Sequence, residues 1–186
     1  MAQSGIRCFV AIDLPGEMRE EIAAVQNDID VAGVKLVNSD LIHLTLKFLG
    51  DVPLPKLNKV KAALRDVAHP AFKAKVMGLG AFPGKSIRVI WIGAEGDFAE
   101  LHRKVDLALD PLGFDRDGRA YSPHATIARV KQPSPRISQN LLKRLNPHKE
   151  IDLGEFLVDK FVLKKSTLTR GGPIYEDLEE FHLATP

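Results

Sequence analysis

The sequence has little cysteine and no long apolar run, and each shortage excludes a class of protein. Cys8 is the only cysteine among 186 residues, which excludes an internal disulfide and a cysteine-based zinc site. No apolar run approaches the roughly 20 residues that a membrane span requires. The first residues lack a basic stretch followed by an apolar one, so we expect no signal peptide and a cytoplasmic location.

Net charge is also small, at +2 with a sequence pI of 8.6. A protein that coats nucleic acid through charge alone is usually more basic, with its cations clustered. The charge therefore permits an RNA ligand without arguing for one. The length allows one domain, or two small lobes that share a core. We expect a single domain over residues 1–186 that is a monomer.

Apolar periodicity predicts strands interspersed with helices. Predicted strands cover residues 6–14, 34–38, 41–50, 72–82, 86–94 and 124–131, with two or three more within 152–183. The predicted helices carry apolar stripes along residues 18–29, 57–67, 98–112 and 137–145. Strands arrive in pairs, one of them a predicted hairpin around Pro83-Gly84. This order favours an α+β fold with antiparallel sheets over a parallel βαβ array.

Two motifs of the form His-x-Thr-apolar begin at His43 and His124. Side chains alternate across a strand, so each histidine shares a face with the threonine two residues later, Thr45 or Thr126. One such motif would be weak evidence, because a strand histidine is often structural and threonine is a good strand former. By composition, two motifs among six histidines arise by chance about 1% of the time. The pair therefore predicts a functional site.

Two histidines beside two hydroxyls suit an in-line displacement at phosphorus. A neutral histidine takes a proton from the attacking water, and a protonated one gives a proton to the leaving alkoxide. An ordinary pKa near 6.5 allows either state at neutral pH. The threonine hydroxyls donate hydrogen bonds to the non-bridging oxygens. This scheme requires no metal and no cofactor.

Five blocks of sequence carry a resemblance to a known family. They are RCFVAIDLP (7–15), IHLTLKFLGDV (42–52), AFPGKSIRVIWIG (81–93), YSPHATIARV (121–130) and STLTRGGPIYEDL (166–178). The chain resembles, over nearly its whole length, the two-histidine phosphoesterases, specifically the RNA 2′,3′-cyclic phosphodiesterases, also called 2′-5′ RNA ligases.

The resemblance implies a bilobal fold. Two pseudo-symmetric lobes, with antiparallel sheets flanked by helices, would face each other across a central cleft, and each would contribute one His-x-Thr motif. It also implies an activity that opens a 2′,3′-cyclic phosphate at an RNA 3′ end to leave a 2′-phosphate. Reversible 2′-5′ joining of RNA would accompany this activity. The expected partner is RNA that ends in a cyclic phosphate.

Four residues occupy the family's motif positions: His43 and His124 as catalytic groups, and Thr45 and Thr126 as phosphate-binding groups. The residues alone do not tell which histidine is the acid. The resemblance favours His43 as the acid on the 3′ oxygen and His124 as the base on water.

Phe48 and Arg129 lie five residues after each histidine and match positions that the family uses near its ligand. We assign Phe48 to base stacking and Arg129 to phosphate. Simple alternation turns both away from their histidines, so a bulge or strand end must re-aim them. Arg88 is a second phosphate candidate, with a solvated strand arginine as the alternative. Phe9 is a second stacking candidate, with a core role as the alternative.

Two other function classes stay open. The first is a non-catalytic protein that grips an RNA end. The second is a two-histidine enzyme for a small nucleotide such as ADP-ribose 1″,2″-cyclic phosphate. Two groups that titrate near neutrality favour an enzyme, because binding alone does not require them. Four further residues are weaker site candidates, for which structural roles weigh as much or more: Arg7, Lys47, Tyr121 and Tyr175.

Overall fold

A computed structural model describes residues 5–83 and 86–185. The helices are α1 (Gly16–Ile29), α2 (Leu54–Arg65), α3 (Phe98–Leu109) and α4 (Pro135–Leu145). The strands are β1 (Gly5–Asp13), β2 (Val34–Leu36), β3 (His43–Pro53), β4 (Phe72–Phe82), β5 (Val89–Glu95), β6 (His124–Val130), β7 (Asp152–Val158), β8 (Lys160–Thr169) and β9 (Gly172–His182).

The structure contains every predicted element, with shifts at the ends. The third strand begins at His43 rather than at residue 41, because Ser39–Leu41 form a turn of 3-10 helix that the Asn38 side chain caps. Strands β4 and β5 pair antiparallel, as the predicted hairpin requires. Gly84 of its predicted turn lies outside the described residues.

All the strands belong to one antiparallel sheet, ordered β7-β4-β5-β6-β3-β1-β8-β9, with β2 beside β6. The junction between β3 and β6 is a single residue pair, Leu44 with Ala125. That narrow junction divides the sheet into two sections. We call β1, β3, β8 and β9 with their helices the first lobe, and β2 and β4 to β7 with theirs the second lobe.

Each lobe buries one face of its sheet under two helices. Helices α2 and α3 contact β3, whereas α1 and α4 pack together, with α1 also against β6. The predicted apolar stripe of α3 explains its packing, since Phe98, Leu101, Val105 and Leu109 are fully buried. The predicted α+β, bilobal architecture is confirmed.

The lobes are not the two halves of the sequence. The first lobe combines β1 from the beginning of the chain with β8 and β9 from its end, and β4 and β5 cross into the second lobe. Each lobe does contribute one His-x-Thr motif, as predicted, because β3 belongs to the first lobe and β6 to the second. Over the described ranges, no helix is long and apolar enough to cross a membrane.

Candidate active site

The two His-x-Thr motifs meet at the junction of the lobes. The residue after each histidine forms the single pair between β3 and β6, and both of these residues are buried towards the helices. Continuing this antiparallel register by one residue places His43 level with Thr126, and Thr45 level with His124. Both histidines and both threonines therefore share the opposite face, in an arrangement with local two-fold symmetry.

Both imidazoles are anchored in the same way. The Nδ1 atom of His43 lies 2.7 Å from the carbonyl oxygen of Leu41, and Nδ1 of His124 lies 2.7 Å from that of Ser122. A carbonyl oxygen only accepts hydrogen bonds, so Nδ1 carries a proton in both rings. The Nε2 atom is then the one that exchanges a proton. In His43 it lies 3.0 Å from the Thr45 hydroxyl, which donates to it while the ring is neutral.

A bulge follows each motif at the same place. The register of β3 against β1 skips Leu46, and that of β6 against β5 skips Ile127. The next residue in each strand is buried, and the one after it, Phe48 or Arg129, is exposed. Each bulge thus shifts the alternation by one residue, and both side chains turn to the face of the histidines. The structure thus has the bulges that Phe48 and Arg129 require in order to face the same side as their histidines.

Aromatic rings enclose His43 on the first lobe. The centroid of the Phe9 ring lies 4.9 Å from that of His43, and Tyr175 meets the imidazole edge-on at 5.4 Å. Burial lowers the pKa of His43, because the charged imidazole loses its hydration. Phe9 is only 3% exposed, so it has no open face for a base. Phe9 therefore has the core role that was the alternative to base stacking. Phe48, by contrast, is 69% exposed, so its ring is accessible.

Tyr175 also lies near cations from both lobes. Burial raises the pKa of its hydroxyl, and the positive charges of Arg129 and Arg7 oppose that rise. Arg129 of the second lobe is therefore within electrostatic reach of a ring that contacts His43. Sequence reasoning favoured a structural role for Tyr175, and the only signal for a place in the site was its position in a family block, 166–178.

His124 lies against two aromatic rings of the second lobe. Phe82 meets it edge-on at 5.5 Å, and the Trp91 centroid is 6.2 Å away. These rings stack on each other at 5.0 Å, and Trp91 pairs with Thr126 in the ladder of β5 and β6. Trp91 lies so flat over Gly80 that any Cβ there would collide with the indole. Sequence reasoning missed both rings.

Arg88 lies beside the end of β6, where its carbonyl oxygen accepts the backbone N–H of Val130 at 2.9 Å. It is exposed and precedes β5, whose first residue, Val89, pairs with Arg129. His124 instead pairs with Gly93, five residues beyond Arg88. The phosphate role of Arg88 stays a prediction.

A polar cavity of about 400 Å³ adjoins His43 on the first lobe. Within it, Lys164 is buried between Asp13 at 3.0 Å and Asp177 at 2.6 Å, so these charges compensate one another. The volume falls in the range of small-molecule sites. The cavity leaves room for part of a nucleotide beside His43. Its walls comprise Asp13, Arg19, Asp40, Leu41, His43, Lys164, Tyr175 and Asp177.

A cluster of side chains away from His43 and His124 has the residue types of a metal site. Potential ligand atoms of His102, Asp106 and Asp117 lie within 4.8 Å of one another. The Lys47 ammonium already lies there, 2.6 Å from a carboxylate oxygen of Asp106. Lys47 is 4% exposed, so it is paired inside the protein rather than available to a phosphate.

Two His-x-Thr strands that face one cleft from two lobes define the class of the two-histidine phosphoesterases. The model of the family described as LigT-like phosphoesterase matches residues 12–91 and 92–175. The chain belongs to the LigT-like phosphoesterase family.

Relatives match over nearly all of the chain. The RNA 2′,3′-cyclic phosphodiesterase of Methanocaldococcus jannaschii is 40% identical over 95% of this chain and 100% of its own length. The protein of the same name from Methanothermobacter thermautotrophicus is 36% identical over 96% and 99%. A crystal structure of a Thermus thermophilus protein superposes with a TM-score of 0.83 at 30% identity. The match covers 97% of this chain and 99% of that one.

Proposed function

We propose that the protein is an RNA 2′,3′-cyclic phosphodiesterase that opens a terminal cyclic phosphate to a 2′-phosphate. The observation that carries this proposal is the symmetric array of two imidazoles, both anchored through Nδ1, beside two hydroxyls on one open face. A relative that bears this name matches 95% of the chain at 40% identity. The chain would act as a single bilobal domain, because its one site draws on both lobes.

The array accounts for the reaction without a metal ion. Water attacks phosphorus in line with the bond to the 3′ oxygen. One histidine takes a proton from the water at Nε2 as the new P–O bond forms. The other gives the 3′ oxygen a proton as the P–O3′ bond breaks, which leaves the phosphate on the 2′ oxygen. Thr45 and Thr126 donate to the non-bridging oxygens, where the negative charge grows.

The assignment of acid and base stays a proposal. The family resemblance favours His43 as the acid. Burial lowers the pKa of His43 and so favours its neutral form in the free protein, which suits a base. A bound phosphate opposes this effect, because its negative charge stabilises an imidazolium. The protonation state in which His43 reacts is therefore determined in the complex with substrate.

Two further side chains would bind the RNA end. Arg129 would hold the phosphate from the second lobe, because the guanidinium offers a fixed fork of donors. The exposed ring of Phe48 would stack on the terminal base, which binds RNA without demanding a sequence. We propose that the protein works as a cytoplasmic monomer and that reversible 2′-5′ joining of RNA uses the same site.

Product analysis tests the proposal. We expect purified protein, with EDTA present, to convert an RNA ending in a 2′,3′-cyclic phosphate into the 2′-phosphate, identified by nuclease sensitivity and mass spectrometry. A parallel assay offers ADP-ribose 1″,2″-cyclic phosphate, and another adds RNA with a 5′-hydroxyl to detect joining. A 3′-phosphate product, faster turnover of the small nucleotide, or binding without turnover would each contradict the proposal.

The rate of the chemical step should show a bell-shaped dependence on pH. One histidine must be neutral while the other is protonated, so the productive fraction has a maximum, with both limbs near neutrality. The apparent pKa values of the two limbs belong to the coupled pair of histidines and cannot be assigned to one residue. In the free protein, nuclear magnetic resonance should show His43 titrating below the ordinary value of 6.5, because burial disfavours its charge. A plateau from about pH 5 to about pH 9 in single turnovers would contradict the acid–base pairing.

A further inference from the structure

The two His-x-Thr strands differ at one buried position in a way that the proposed reaction does not explain. The fourth residue after each histidine follows the bulge and is buried, yet it is Ala128 in β6 and Lys47 in β3. A lysine is almost never this buried unless it is paired. Lys47 therefore indicates a task particular to one strand.

The lobes have only a weak backbone connection at the site. Strands β3 and β6 share one residue pair, whereas β1 and β3 are paired along the whole of β1. The residues before His124 also lack regular structure, since 113–123 contain no helix or strand. Catalysis nevertheless requires the two imidazoles at a fixed separation, because a displacement of about 1 Å costs roughly 10²-fold in rate. Pairing with Gly93 fixes His124 within the second lobe, so other contacts must fix its position relative to His43.

Lys47 holds the beginning of this irregular segment. Its ammonium donates to the carbonyl oxygen of Asp115 at 2.7 Å and pairs with the Asp106 carboxylate of α3 at 2.6 Å. The second oxygen of that carboxylate accepts the backbone N–H of Asp117 at 3.0 Å. The Asp117 side chain lies 3.0 Å from Nε2 of His102 on α3. Strand β3 and helix α3 thus hold residues 115–117 together.

Tyr121 holds the end of the same segment. Its ring stacks on His102 with centroids 4.4 Å apart and an interplanar angle of 15°. Its hydroxyl donates to the carbonyl oxygen of Thr45 at 2.8 Å. The next residue, Ser122, supplies the carbonyl that anchors Nδ1 of His124. One hydrogen bond therefore joins the backbone of the first motif to the residue beside the imidazole anchor of the second.

We propose that Tyr121 and the buried Lys47–Asp106 pair are positioning residues, which set His124 against His43 by tying residues 113–123 to β3. This inference rests on the proposed function. The Lys47 ammonium lies 2.6 Å from Asp106 and 3.8 Å from Asp117, two of the three members of the cluster with His102.

Tyr121→Phe is the main test, because it removes the hydroxyl and keeps the stacked ring. We expect kcat for the cyclic phosphate to fall about tenfold, with KM changed less than about twofold. In a His124→Ala background the same change should have no further effect, since Tyr121 acts through His124. The variant Lys47→Met/Asp106→Asn removes both charges but leaves an acceptor for Asp117, and should behave in the same way.

Phe161→Leu is the control for lost stability, since Phe161 is buried in β8 and stacks on Phe181. It should lower the melting temperature without changing kcat. Wild-type kcat in Tyr121→Phe, or an equal loss in the His124→Ala background, would overturn the proposal. A rise in melting temperature on adding Zn²⁺ to EDTA-treated wild type, absent from Lys47→Met/Asp106→Asn, would overturn the role of the Lys47–Asp106 pair by assigning the cluster to a metal.

The resonances of the His124 ring give a readout that is independent of activity. They should shift in Tyr121→Phe and stay in place in Phe161→Leu. If the wild-type protein opened no cyclic phosphate, the proposed function would fail. The ring resonances would still report whether Tyr121 positions His124, and unmoved resonances in Tyr121→Phe would overturn the inference.

Discussion

We expect His43→Ala and His124→Ala each to lower the single-turnover rate of cyclic phosphate opening by about 10²–10⁴-fold, roughly 3–5 kcal/mol of barrier. Each change removes one of the two groups that move protons in the same step. The double variant should therefore lose far less than the product of the single losses, because the second group has little to contribute once its partner is gone. Quenched single turnovers on labelled RNA would measure all three rates.

The control is His182→Ala, which removes an exposed histidine of β9 and should keep the wild-type rate. Melting temperatures must accompany these assays, since His43 packs against Phe9 and Tyr175. His124, whose anchoring hydrogen bond is exposed, should tolerate truncation better. Near wild-type activity in a folded His43→Ala or His124→Ala protein would refute two-histidine catalysis.

The next largest effect should come from the two threonines. Thr45→Val and Thr126→Val each remove a hydroxyl and keep the shape of the side chain. We expect each to lower the rate by about 10–10³-fold, the scale of losing one donor to a charged phosphoryl oxygen. The bell in the pH profile should remain, because threonine does not titrate in this range. Rate profiles over pH for both variants would measure the two effects separately.

Thr167→Val is the matched control, because Thr167 is an exposed strand residue of β8. It should leave the rate unchanged. Thr45 has an additional role in the free protein, where its hydroxyl donates to Nε2 of His43. That hydroxyl must turn from the imidazole to the phosphate when substrate binds. A rate equal to wild type in both Thr45→Val and Thr126→Val would remove the hydroxyls from the mechanism.

Much of the site was predictable because strand periodicity is a local property. Alternation alone places His43 with Thr45, and His124 with Thr126, on one face of each strand. The apolar stripe of α3 predicted a helix that the structure buries along one side. Even the bulges were predictable. Phe48 and Arg129 lie an odd number of residues after their histidines, so regular alternation would turn them to the opposite face. The sequence by itself determined the elements, the buried faces of the helices, and the histidines and threonines of the two motifs.

The tertiary structure alone decided how distant segments meet. No periodicity indicates that Leu44 pairs with Ala125, or that β1, β8 and β9 share a lobe. Such pairings depend on the register and packing of a whole sheet, because strands far apart in sequence have many competing partners. For the same reason Tyr175 at His43 and Trp91 at His124 emerged only from the fold, as did the burial of Lys47 of β3 against Asp106 of α3. The sequence holds the chemistry of each motif, and packing across the sheet sets the distance between them.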